Sequence, residues 1–314
     1  MQFRTGMVAA VAAAAFVSLS SSALAVTPGW ECVPTTAGQA VTSGGTGTSP
    51  SCGSSSTPVL APTYVSSGIG GKPTAEFSGA NVQIVNGTGS ETTTNSEGNL
   101  VIGYDPLPGT QTGSHNLVLG TSSQGYTSYG GIDAGVDNRI SAPAASVLGG
   151  ANNTASGVEA TVSGGDTNGA KGAESSISGG FDSIAQGQES SVSGGTANTA
   201  SAESSSITGG QYNQAADLDS TVTGGCDNVT GNAGLTFFPC GIGNETVLGG
   251  NNNIAKGDTS TVSGGVINSA LGEYSAVSGG KGNQAKGISS AILGGLFNGL
   301  NGNCATSPPT GQSC

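Results

Sequence analysis

The pair Gly-Gly begins at residues 149, 164, 179, 194, 209 and 224, and again at 249, 264, 279 and 294. A 15-residue period held over ten copies commits a chain to a stack of like units, because a unit this short can bury its apolar side only against its neighbours. The single wider interval, 25 residues from Gly224 to Gly249, equals one period plus a ten-residue insertion.

Two residues before each pair stands a β-branched residue: Val147, Val162, Ile177, Val192, Ile207, Val222, Val247, Val262, Val277 and Ile292. Its neighbours are mostly Ser or Thr, as in Thr161-Val162-Ser163 and Thr221-Val222-Thr223, the period-2 alternation of a half-buried strand. Eight residues further on, a second small column reads Ala155, Ala170, Ala185, Ala200 and Ala215, breaks at Thr230, and resumes at Ala255, Ala270 and Ala285. Two inward columns per coil predict two short strands per coil. With 57 glycines among 314 residues, a helix is excluded. The expected fold is therefore all-β, a parallel β-solenoid of 15-residue coils, and ten rungs at about 4.8 Å each make about 50 Å of stack.

Between the apolar columns runs asparagine: Asn153, Asn168, Asn198, Asn213, Asn228, Asn253, Asn268, Asn283 and Asn298, with Ser183 the exception. Asparagine tolerates left-handed backbone and bonds to neighbouring backbone at turns, and stacked amides can also bond rung to rung. A second turn carries Gly157, Gly172, Gly187, Gly257, Gly272, Gly287 and Gly302, where either positive φ or tight packing favours glycine.

The chain divides accordingly. Residues 1–25 combine Arg4, the apolar run Met7 to Val17 and the small-x-small site Ala23-Leu24-Ala25, the order of a secretory signal peptide. That run is shorter than the roughly 20 apolar residues of a membrane-spanning helix. Residues 26–75 are a Ser/Thr/Gly/Pro-rich linker or cap, and residues 76–145 hold irregular coils opened by Ile84, Leu100, Leu117 and Ile132. Residues 146–302 are the regular coils, with the insertion at 230–240, and residues 303–314 are a polar tail. The six cysteines fall into the near neighbours Cys32 and Cys52, Cys226 and Cys240, and Cys304 and Cys314. In an oxidising compartment such pairs are expected as disulfides bracing the caps and the insertion. No pair has CxxC spacing and His115 is the one histidine, which argues against zinc.

The coils Ser175-Ser176-Ile177-Ser178-Gly179-Gly180 and Ser260-Thr261-Val262-Ser263-Gly264-Gly265, each followed by an x-x-Asn-x-Ala-x-Gly turn (Ser183 standing for the asparagine after the first), resemble the head repeats of the YadA-like trimeric autotransporter adhesins. The resemblance spans roughly residues 115–302, although that family's usual coil is a residue shorter. It implies a left-handed β-roll, a homotrimer, and adhesion at a bacterial surface. The segment Gly113 to Gly120 is also similar to the entry segment of uncharacterised secreted bacterial repeat proteins that share this coil. No family neck, heptad stalk or set of membrane strands is visible, so no transmembrane anchor of its own is expected. The protein is expected to be secreted, either free outside the cell or held at the cell surface or outer membrane.

The residues bear on three classes of function. Carbohydrate-active β-helix enzymes need paired carboxylates or a base in a groove, and the residues to watch are Asp133, Asp137 and Arg139, with no triad partner evident for His115. Of the seven Lys and Arg, one is Arg4, and the rest are scattered. A ligand-binding array is the second class. Glu159, Glu174, Glu189 and Asp219 share one column, which is a solvated edge or a weak calcium site, calcium being the one cofactor considered. The Ser/Thr columns flanking Val would suit ice, although Leu148, Leu248 and Leu293 interrupt them. The formal net charge of −12 argues against nucleic acid and anionic membrane.

The third class, a non-catalytic adhesin-like scaffold, needs a rigid rod with a variable exposed column. Such a column runs four residues after each Val/Ile: Ala151, Asp166, Phe181, Thr196, Gln211, Cys226, Asn251, Val266, Lys281 and Leu296. The insertion adds Leu235, Phe237, Phe238 and Pro239 as a candidate contact for a surface glycan or protein receptor, since apolar residues on a projecting loop need a reason. Val192→Asp is predicted to destabilise the rod by several kcal/mol, because it buries an unpaired charge. Thermal unfolding of the variant against the parent checks the column assignment.

Overall fold

In a computed structural model of the chain, the described residues are 29–34, 42–46, 56–77, 81–104, 111–121, 125–231 and 243–307. The expected signal peptide lies outside them. They belong to two compact units, Met1–Gln83 and Ile84–Cys314. In the first, β1 (Gly29–Pro34) pairs antiparallel with β2 (Thr42–Thr46) and β3 (Ser56–Ala61). A separate hairpin joins β4 (Thr63–Val65) to β5 (Thr74–Glu76) around a single 3-10 turn.

The second unit is a parallel β-solenoid. Its larger sheet has 14 strands, beginning at β6 (Leu100–Ile102), β7 (Leu117–Thr121) and β8 (Ile132–Val136) and continuing through the two-residue Val/Ile strands to Thr306–Ser307. An 11-stranded sheet collects the alanine strands from Arg139–Ile140 to Gly299–Leu300. Register is one coil per rung, with Val162 opposite Val147 and Ile177, and Ala170 opposite Ala155 and Ala185. Of the expected irregular coils, those at Leu100, Leu117 and Ile132 are parallel strands, while Ile84 lies outside any strand.

A third parallel ladder accompanies the two sheets, made of single bridges from Val136↔Ala151 through Lys281↔Leu296. It was not foreseen, because one residue per coil leaves no alternation to read. The coil is thus three-sided, and its Val/Ile, Ala and Asn columns are buried together. A further buried column stands two residues before each Val/Ile: Ala145, Ala160, Ser175, Ser190, Ser205 and Ser220 lead to Glu245, followed by Ser260, Ser275 and Ser290. Ser175, Ser190 and Ser205 bond back to their own turns, Ser175 Oγ donating to Gly172 O at 2.7 Å, whereas Ser260 Oγ donates to Ala270 O and the Ser275 and Ser290 hydroxyls have no partner among the described residues.

The coils close through two left-handed turns. One lies at the residue before each asparagine, such as Thr167 (φ 62), and the other at the position of Glu159, Glu174 and Glu189 (φ 59, 58 and 56). At both turns the amide reverses: Thr167 N–H donates to Ala151 O and Glu174 N–H to Val158 O in the preceding coil, whereas strand amides such as Thr161 N–H donate to the following coil. The second-turn glycines are needed for tight packing rather than for positive φ, since a Cβ on Gly172 would collide with Gly187 O. The Gly-Gly turn needs both. Gly165 has φ 88, and a Cβ there would meet Gly180 O and the Asn168 amide.

The asparagine ladder binds backbone more than it binds itself. Asn198 Nδ2 donates to Gly194 O (2.9 Å) and Gly210 O (3.0 Å), and its Oδ1 accepts from Asn213 N–H (3.0 Å). A direct amide-to-amide bond joins Asn283 to Asn268. At Ser183 the hydroxyl accepts from Asn198 N–H at a longer 3.3 Å. At about 1 kcal/mol per buried bond, Asn198→Ala is expected to cost about 3 kcal/mol. Ser183→Asn should instead stabilise the rod by about 1 to 2 kcal/mol. Denaturant midpoints of the two variants against the parent measure both.

Candidate functional site

The variable column is the single-bridge ladder, and its backbone is as regular as the core. From Ala151 to Lys281 each amide on it donates to the next coil's Gly-Gly turn, for example Asp166 N–H to Gly180 O at 3.0 Å and Phe181 N–H to Gly195 O at 2.9 Å. The side chains point outward, and the left-handed residue that follows adds a second outward column, Tyr212, Ile267 and Phe297 among them. Phe181, Tyr212, Val266, Ile267, Leu296 and Phe297 are all exposed. Gly282 leaves room for the Phe297 ring, which occupies the space a side chain would fill. Near the other end the ladder is polar: Asn152 Nδ2 and Thr167 Oγ1 donate to Asp166 Oδ1 at 3.1 and 2.8 Å and hold its carboxyl below the usual range.

Of the residues singled out from the sequence, Leu235, Phe237, Phe238 and Pro239 lie outside the described residues. Glu159, Glu174, Glu189 and Asp219 are exposed at left-handed turns. Among the described residues no group of three or more His, Cys, Asp or Glu is placed to hold a metal. Along the acidic column each of those rungs turns one carboxylate to solvent. Asp133 is buried in the Val/Ile column, opposite Val118 and Val147, while Arg139 is exposed.

His115 has a structural place. Its Nε2 accepts from Asn86 N–H at 3.2 Å, which leaves Nδ1 to donate to Glu91 O at 3.3 Å. The buried Asn86 ties the same segment together, donating to Ser90 O and Thr93 O. Cys226 has a free thiol, so its expected bridge to Cys240 is not formed. It stands on the variable ladder between Gln211 and Asn251. Burial, then the adjacent Asp227, push that thiol up, away from the reactive thiolate. Cys240, Cys52 and Cys314 lie outside the described residues, as do the side-chain surroundings of Cys32. Cys304 is disulfide-bonded.

One buried group was missed. Glu245 is 0 % exposed, and neither carboxyl oxygen has a hydrogen-bond partner among the described residues. The signal that could have found it is in the sequence: a column of Ser and Ala, two before each Val/Ile, broken once by glutamate. The same coil carries Thr230 in the alanine column, its hydroxyl donating to Ser220 Oγ at 2.9 Å.

No protein-family model matches the chain, and no curated protein matches it in sequence. The side chains of the two outward columns are expected to contribute little to folding. Phe181→Ser, Tyr212→Ser and Ile267→Ser should each change stability by less than about 0.5 kcal/mol, as measured by chemical denaturation.

Proposed function

We propose that the exported chain is a non-catalytic binding scaffold, free or held at the cell surface, that presents its variable ladder to a glycan or protein receptor in the manner of an adhesin. The observation that carries this reading is the contrast between columns. In the regular coils, Thr230 and Glu245 apart, inward positions are held to Val/Ile, Ala, Asn, Gly and Ser, while the ladder runs through acidic, basic, aromatic, aliphatic and amide side chains on an equally regular backbone. Exposed aromatic and aliphatic side chains on a rigid support contribute contact area at low entropic cost, and folding does not require them there. The reading without catalysis is supported by Asp133 lying in the core column while Arg139 is exposed. Association of copies as a homotrimer is part of the proposal, with the exposed Leu148, Leu248 and Leu293 as the apolar outward positions.

The test couples the mature chain to beads and measures their retention on arrays of immobilised extracellular-matrix proteins and glycans. A second set of beads carries the triple variant Phe181→Ser, Tyr212→Ser, Ile267→Ser. Retention by the parent, lost about tenfold or more in a variant that melts at the same temperature, is the expected result, since each anchor side chain removed costs about 1 kcal/mol or more of binding. Equal retention of both beads, or of neither, overturns the ladder and the outward column beside it as the binding face. Light scattering of the mature chain should show three times the monomer mass.

A further inference from the structure

The coil between Val222 and Val247 departs from the repeat in several columns at once. Its sequence carries the ten-residue insertion. Thr230 replaces alanine, and Glu245 replaces the small residue stacked between Ser220 and Ser260. The backbone closes normally around these changes: Thr221 N–H donates to Glu245 O at 2.9 Å and Thr246 N–H to Ser260 O at 3.0 Å. Only the carboxyl is out of place. A buried carboxylate without a partner is tolerated mainly as the neutral acid. The core groups nearest in the stack, Ser220, Thr230 and Ser260, are neutral, while Asp217 below and Asp258 above are the charged groups acting on it, both acidic.

We propose that Glu245 makes this coil a pH-sensitive joint: as the neutral acid it completes the core and couples the coils on either side, and as the carboxylate it leaves the core and uncouples them. A solenoid is suited to such a joint, because each coil touches only its neighbours and a single weak interface separates two blocks. Burial first, and then Asp217 and Asp258, push Glu245 up to about 7, with its own backbone N–H opposing. Because the folded value lies above the ordinary 4.5, the coupling is fully present below about 4.5 and is lost as pH rises through about 7.

Hydrogen exchange on the mature chain tests this, with each rate corrected for the intrinsic effect of pH. From the two values above, the opening constant of this coil should rise roughly 30-fold between pH 5.5 and 8.5. Peptides carrying Thr221 to Val229 and Thr246 to Asn253 should show that rise, while peptides carrying Thr161 to Val192 should not. Glu245→Gln removes the charge, and Glu245→Ser restores the residue that Ser175, Ser190 and Ser260 provide in their coils, so at least one folded control is secured. Both should abolish the pH response. A response that persists in Glu245→Ser, or that spreads evenly along the rod, overturns the proposal. So does recovery of protection at pH 8.5 on adding millimolar calcium chloride, which would make Glu245 a cation ligand instead.

Discussion

The asparagine amide at most of the Gly-Gly turns ties the turn of its own coil to the backbone of the next. Asn213 donates its own N–H to Asn198 Oδ1 below, donates Nδ2 to Gly209 O in its own coil and Gly225 O above, and accepts from Asn228 N–H above. The turn needs this because the first glycine's carbonyl, such as Gly209 O, and the N–H of the next asparagine have no other partner among the described residues, whereas the second glycine's carbonyl also accepts from the ladder, as Gly225 O does from Gln211 N–H. It also sets the demand for glycine, since the amide occupies the space a Cβ on Gly210 would take. The variable ladder leaves from the same turn, so its regular spacing is inherited from the amide beneath it. A column of identical buried polar groups is thereby what allows an adjacent exposed column to be diverse.

The regular stack was legible because its cause is periodic. Val162, Asn168 and Ala170 each face the same neighbours as residues 15 positions away, and any side chain that failed would fail in every coil. What escaped the reading was local. The buried serine column went unread although Ser175 stands two residues before Ile177, where period-2 alternation places both on the inward face. Its small polar side chain gave no apolar signal, because Ser175 Oγ is satisfied by its own turn at Gly172 O. The acidic column was read as a line of charge, yet its backbone, left-handed from Glu159 to Glu189, is the feature that closes the coil. Side-chain chemistry drew attention away from a position chosen by φ, and most residues that occupy it, Tyr274 and Ser289 among them, have nothing else in common. The ladder residues were recognisable only as the column without a rule.

The irregular coil shows how far the pattern can be stretched. Register resumes across the insertion with Thr221 opposite Thr246 and Val229 opposite Ile254, so the strands on both sides ignore the extra length between them. Loop length costs little once the ends are fixed, and the ends here are fixed by three ladders. The polar residues of that coil are less easily absorbed. Thr230 finds Ser220, but Glu245 has only the low-dielectric interior around it, and its state depends on the solution outside.

The reversed amides at the left-handed turns mean that every coil is stitched both to the one before it and to the one after it, with no element reaching further. Such a chain can grow or shrink by one in-frame repeat without any neighbour having to be redesigned. Each added copy would advance the tip of the rod by about 4.8 Å and carry one new ladder position with it. The molecule is therefore built like a measuring tape, on which evolution can set the reach and rewrite the marks independently.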